Sequence, residues 1–108
     1  MTVKNFAEKT GFKVVSLPSP DRCIEGVYIG DLLSWVMGKA KADDAWITIM
    51  SNINVLAVAT LADISCIVLA EGVMLDEDTM CAAESKGVNV LSTELSAYSA
   101  ALKISELI

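Results

Sequence analysis

The sequence predicts an α/β domain of three layers, with helices on both faces of a mostly parallel sheet of four or five strands. Three observations lead there. Short apolar runs alternate with amphipathic stretches along the chain, the pattern of a parallel sheet with helical crossovers. The run CIVLA (66–70) is apolar without a polar alternation, as a strand buried on both faces is. The chain has 108 residues, 54% of them apolar, enough for one core of ordinary domain size without help from a metal or disulfides. One domain over residues 1–108 is expected.

The elements follow in order. Thr2 is placed to cap a first helix running to Thr10, and Gly11 to end it. FKVVSL (12–17) reads as a strand, and Pro18 and Pro20 make the next stretch a loop. GVYI (26–29) is the second strand. Asp31 then stands at an N-cap position before the helix LLSWVMGKA (32–40), whose Leu32, Trp35 and Val36 share a face. KADD is a turn, and AWITIM (45–50) is rich in β-formers. INVLAVATLADI (53–64) fits either element. A helix is expected, because a parallel crossover must precede CIVLA; Ile53, Leu56, Ala57, Thr60 and Leu61 would line it. Asp76 can cap a helix with Glu77 and Asp78 at its positive end, and Gly87 can close it. VNVLS (88–92) is the last strand. TELSAYSAALKISELI (93–108) is the last helix, with Leu95, Tyr98, Leu102 and Leu107 facing inward.

Composition then excludes several functions. The net charge is −6 and the eight basic residues are scattered, so a nucleic-acid partner or an anionic membrane is not expected. VKNFAEKTGFKVV resembles the start of a helix-turn-helix, but prolines and a strand stand where a basic recognition helix would follow. No apolar run approaches the ~20 residues of a spanning helix, and the amino terminus lacks a signal-peptide pattern. A cytoplasmic location is expected. Cys23, Cys66 and Cys81 are odd in number and widely spaced, and there is no histidine; reduced thiols are expected, with no metal site and no cofactor. The chain has no P-loop, no GxGxxG, no GxSxG elbow and no histidine to serve a nucleophile, so it is not read as an enzyme. DEDT (76–79) reads as a solvated helix start without calcium-loop spacing.

What remains is an edge. In a parallel sheet the carboxyl ends of the strands lie together, and ligands generally bind there near a switch in strand order. The residues expected on that rim are Gly30 and Asp31, Ser51 and Asn52, Glu71 and Gly72, and Ser92 and Thr93. Each pair is small or polar and leads toward a helix start, where free N–H groups attract anions. Turn formation and capping account for Gly30 and Asp31 without a ligand. Ser51, Asn52, Ser92 and Thr93 suit an anion better, since the Asp31 carboxylate repels one. Asp31 and Glu71 could also meet as paired carboxylates, which is the weaker reading. Trp35, Trp46 and Met74 are candidate contacts for a partner protein, with burial in the core as the alternative.

GVYIGDLLSWVMGKAKADDAWITI, ADISCIVLAEG and GVNVLSTELSAY, taken in order, resemble the DRTGG-domain family. The pentapeptide that names the family is not intact; DRCIEG (21–26) keeps an Asp-Arg start and a later glycine. The resemblance implies a fold like the amino-terminal domain of HPr kinase/phosphorylase. It also implies a regulatory or protein-interaction role, with a link to hydrogenase or energy metabolism in an anaerobe; with the missing catalytic sets and the excess of apolar residues, a non-catalytic module acting as a homodimer is expected. The alternative is a sensor that binds a nucleotide or other anion at the carboxyl edge of the sheet.

Overall fold

The computed structural model describes residues 1–108. Five helices and five strands alternate: α1 (Val3–Thr10), β1 (Lys13–Ser16), β2 (Gly26–Ile29), α2 (Leu33–Lys39), β3 (Asp44–Thr48), α3 (Asn54–Leu61), β4 (Cys66–Leu69), α4 (Glu77–Lys86), β5 (Val90–Ser92) and α5 (Ala97–Ser105). The sheet order is β1-β5-β4-β3-β2. Strands β2 to β5 are parallel and β1 pairs antiparallel with β5. The sheet is therefore mixed and mostly parallel, as the sequence pattern requires.

Burial on both faces explains the unbroken apolar strands. Ala45 and Ile47 of β3, Cys66 and Val68 of β4 and Leu91 of β5 pack under α1 and α5. The alternate residues Trp46, Ile67, Leu69 and Val90 pack under α2, α3 and α4. The period of two along a strand thus divides one apolar run between two cores. Phe6 of α1 anchors the first core, edge-to-face with Phe12 at 5.5 Å between ring centroids. Trp46, wholly buried, anchors the second. Of the two tryptophans, this one is core and not a surface contact.

Local signals set most helix ends. Thr2 accepts from the Asn5 N–H, Asp76 from the Thr79 N–H, and Gly11 and Gly87 close their helices in the left-handed conformation at φ 76° and 75°. Three helices depart from expectation. α5 starts at Ala97 and not at Thr93, because Ser96 takes the cap by accepting from the Ser99 N–H. Its inner residues are Ala100 and Ile104, while Tyr98 is 71% exposed and Leu102 also lies outside. On α2 only Val36 is buried; Leu32 and Trp35 stand out at 61% and 58% exposure. On α3 the buried residues are Val55, Leu56, Val58 and Ala59, so Ile53, Ala57, Thr60 and Leu61 of the expected face, all but Leu56, turn outward.

The strands from β2 to β5 are added in one direction, with α2, α3 and α4 all on one face. Strand order never reverses among them. The crevice that opens between diverging crossovers in a doubly wound sheet is therefore not built here. The break in the pattern comes instead where antiparallel β1 joins β5, and a cleft opens there.

Candidate functional site

All four expected pairs lie beyond the carboxyl ends of parallel strands: Gly30 and Asp31 after β2, Ser51 and Asn52 after β3, Glu71 and Gly72 after β4, Ser92 and Thr93 at the end of β5. They share one rim. They do not form one site.

The β2 corner is structural. Asp31 does not cap α2, whose cap position is Leu32 with no side-chain bond. Its Oδ1 instead accepts from the Thr48 hydroxyl at 2.8 Å and the Ile49 N–H at 3.0 Å, tying the end of β2 to the end of β3. Gly30 has its own cause. A Cβ there would stand 2.9 Å from the Tyr28 ring, and its carbonyl accepts from the Trp46 indole N–H at 2.8 Å. Next along the rim, Asn52 accepts from the Asn54 N–H at 2.9 Å, a turn that leads into α3. Ser51 is half-buried beside it.

The β4 and β5 corners do converge. Glu71 and Gly72 are both left-handed, at φ 58° and 74°. Their N–H groups donate to the carbonyls of Leu95 and Thr93 at 2.8 and 2.9 Å, which stitches the two loops together. Thr93 O γ1 accepts from the Leu95 N–H at 3.2 Å. The Glu94 carboxylate lies directly over Gly72, where a Cβ would come within 2.6 Å of Glu94 Oε2. Gly72, Ser92 and Thr93 line a cleft of about 480 Å³, closed on its other sides by Thr10 and Gly11 at the end of α1, by Lys13 of β1 and by Lys103 of α5. Lys103 donates to the Thr10 carbonyl at 2.9 Å. Met74, on the loop after Gly72, is 64% exposed at the mouth. Asp31 and Glu71 do not meet as a carboxylate pair, since Asp31 is occupied with β3.

Sequence reasoning missed Lys13, Lys103, Thr10 and Glu94. The first three come from the two ends of the chain, and only the return of α5 beside α1 and the antiparallel entry of β1 bring them together. No spacing rule reaches across that separation. Glu94, next to Thr93, was within reach but gives no pattern of its own.

At the opposite end of the sheet, the DRCIEG segment holds structure. Arg22 bridges Asp43 and Asp63 at 3.0 and 2.9 Å, both aspartates being left-handed at φ 68° and 56°. Desolvation works against the Arg22 charge, but the hydrogen bond it donates to Asp43 and the charge of Asp63 outweigh it and raise its pKa. Ser65 Oγ donates to the Cys23 carbonyl beside it. No three His, Cys, Asp or Glu side chains cluster closely enough to hold a metal ion, and no helix is long and apolar enough to cross a membrane.

Comparison with known proteins agrees with this architecture. The family model for the DRTGG domain matches residues 18–107. No curated protein matches the chain. Among solved structures, the chain is similar to the CBS and DRTGG domains of the regulatory region of Clostridium perfringens pyrophosphatase, complexed with its activator diadenosine tetraphosphate. The TM-score is 0.73 at 12% identity, over 95% of this chain. The match covers 45% of that structure's chain, so this chain spans less than half of it.

Proposed function

This chain belongs to the DRTGG-domain family, and from that premise we propose that it is a non-catalytic regulatory module, one domain acting in the cytoplasm, that works by docking against a second copy of itself. The observation that carries this reading is the contrast between the two edges of the sheet. Edge strands invite pairing with other chains and are ordinarily blunted. β1 carries Lys13 and an irregular register between Val14 and Ser16. β2, Gly26–Ile29, has no Lys, no Pro and a regular register. On one face Ala101 and Ile108 stand beside Val27 and Ile29, and α2 on the opposite side of the sheet exposes Trp35, with Leu32 at its cap. An isologous contact places this same patch on both partners. Burying Trp35 there supplies the kind of aromatic anchor that dominates binding energy. We extend the proposal to a role linked to hydrogenase or energy metabolism, which the family resemblance motivates.

Sedimentation over a range of concentrations tests it. The wild type is expected to dimerise and Trp35→Asp to remain monomeric with its fold intact. A wild type that stays monomeric at the highest concentration removes the self-association.

A second reading has its own observation. The cleft at the β4 and β5 corners suits a small ligand, and the regulatory region that this fold resembles is complexed with a nucleotide activator. On this reading the domain senses a nucleotide or another anion at the rim. Ligand binding would then raise the melting temperature by preferential stabilisation of the folded state.

A further inference from the structure

We propose that the cleft between α1, β1, α5 and the β4 and β5 corners takes a nucleoside monophosphate; this rests on the ligand-sensing reading and specifies its ligand. The volume of about 480 Å³ lies in the lower part of the ~300–1,000 Å³ range of clefts that enclose one small ligand. That is room for a single nucleoside with its phosphate.

The charges set the rest. Lys13 has no hydrogen-bond or ion-pair partner within the chain, and Lys103 spends one of its three donors on the Thr10 carbonyl. Two ammonium groups suit the ~1.5–2 negative charges of a phosphate monoester. A polyphosphate finds no further support here. The N–H groups that could form an anion nest, those of Glu71, Gly72, Thr93 and Leu95, all donate within the chain. The α5 start is likewise capped by Ser96. Glu94 makes the same choice from the other side, because an unpaired carboxylate repels a bare anion. It accepts from hydroxyls, and the vicinal pair of a ribose is the matching donor set. Ser92 and Thr93 add hydroxyls beside it. Gly72 is what holds the carboxylate over the cleft, since any side chain there displaces Glu94. Met74 offers its exposed thioether to the face of a base.

The test is a melting-temperature and calorimetric titration of the whole chain with AMP, 2′-deoxy-AMP, ribose 5-phosphate, inorganic phosphate and diadenosine tetraphosphate. AMP is expected to bind best and to raise the melting temperature most. Lys13→Gln, whose side chain holds nothing in the fold, should weaken AMP by about tenfold. Glu94→Gln should erase the preference for AMP over its 2′-deoxy form. Three results overturn the proposal: inorganic phosphate matching AMP, diadenosine tetraphosphate matching AMP, or AMP binding that survives both substitutions. In the last case ligand sensing stands and the site is elsewhere. No response to any of the five overturns both.

Discussion

Asp31 shows how a side chain suited to one task performs another. Its position before α2 makes it look like a cap, yet it accepts from Thr48 and Ile49 across the sheet. Asp31→Ala should lower stability by about 1 kcal/mol, read from urea unfolding, because the pair of bonds is exposed on one side. Asn89 is the buried counterpart. Its amide donates to the Ser19 and Ser65 carbonyls and accepts from the Ser19 N–H, pinning the loop before β2 to β5. Asn89→Ala leaves those groups unpaired and should cost about 3 kcal/mol. Burial pushes the Cys66 thiol up to about 12, with the Arg22 charge opposing weakly. The native chain therefore keeps a proton that the unfolded chain loses above about pH 9. That contribution to stability is complete below pH 9 and is lost as pH rises toward 12. In thiol titration Cys23 and Cys81, both exposed, should react in the native protein, and Cys66 only after unfolding. Asp76 works with the opposite sign. The hydrogen bonds from Thr79 lower its pKa, so its contribution holds above the ordinary carboxylate range and fades as pH falls through the lowered value. Asp76→Asn should flatten that acid limb of the stability curve.

At the scale of elements, the strands were legible and the helix faces were not. Every strand run in the sequence is a strand in the structure, because residues such as Cys66–Leu69 have no polar side to turn outward. Helix faces depend on what stands beneath them. On α2 only Val36 is fully buried and Leu33 packs partly against the core, while Leu32 is exposed and Trp35 is covered only by the Lys39 ammonium, 5.2 Å from its ring centroid. α5 turns its small residues inward: Ala97 and Ala101 pack against the core with Ala100 and Ile104, which lets the helix sit close to β3, while Tyr98 and Leu102 splay out. Apolar periodicity records which side chains favour burial, not which surface is available. The rim had the same limit. Its four corners followed from the strand ends, whereas the cleft depends on Lys13 and Lys103, which topology alone brings together. The Gly72 corner gives the element-scale prediction. Gly72→Ala forces a Cβ into Glu94 and a side chain into φ 74°, and should destabilise by about 1–3 kcal/mol while moving the carboxylate off the cleft. Gly87→Ala, with open space around it, should cost only the left-handed conformation, about 1 kcal/mol.

Across the whole molecule, the sheet order decides where function can be placed. Because β2 to β5 are wound in one direction, the rim has no central crevice, and the two surfaces proposed above lie at the two ends of the sheet. At one end β1 closes a cleft against β5. At the other, the edge strand β2 lies beside the half-exposed Ile108, and Trp35 of α2 is 58% exposed. A regulatory module needs a surface that reports and a surface that receives, and this arrangement separates them by the width of the sheet, roughly 20 Å at ~4.8 Å per strand. The claim on which this depends is that β2 is covered by a second copy. Amide hydrogen exchange of Gly26–Ile29, followed as protein concentration rises, tests it most directly. Protection of these amides is expected to increase with concentration while that of β4 stays constant. Exchange in β2 that is independent of concentration up to the solubility limit would contradict the account.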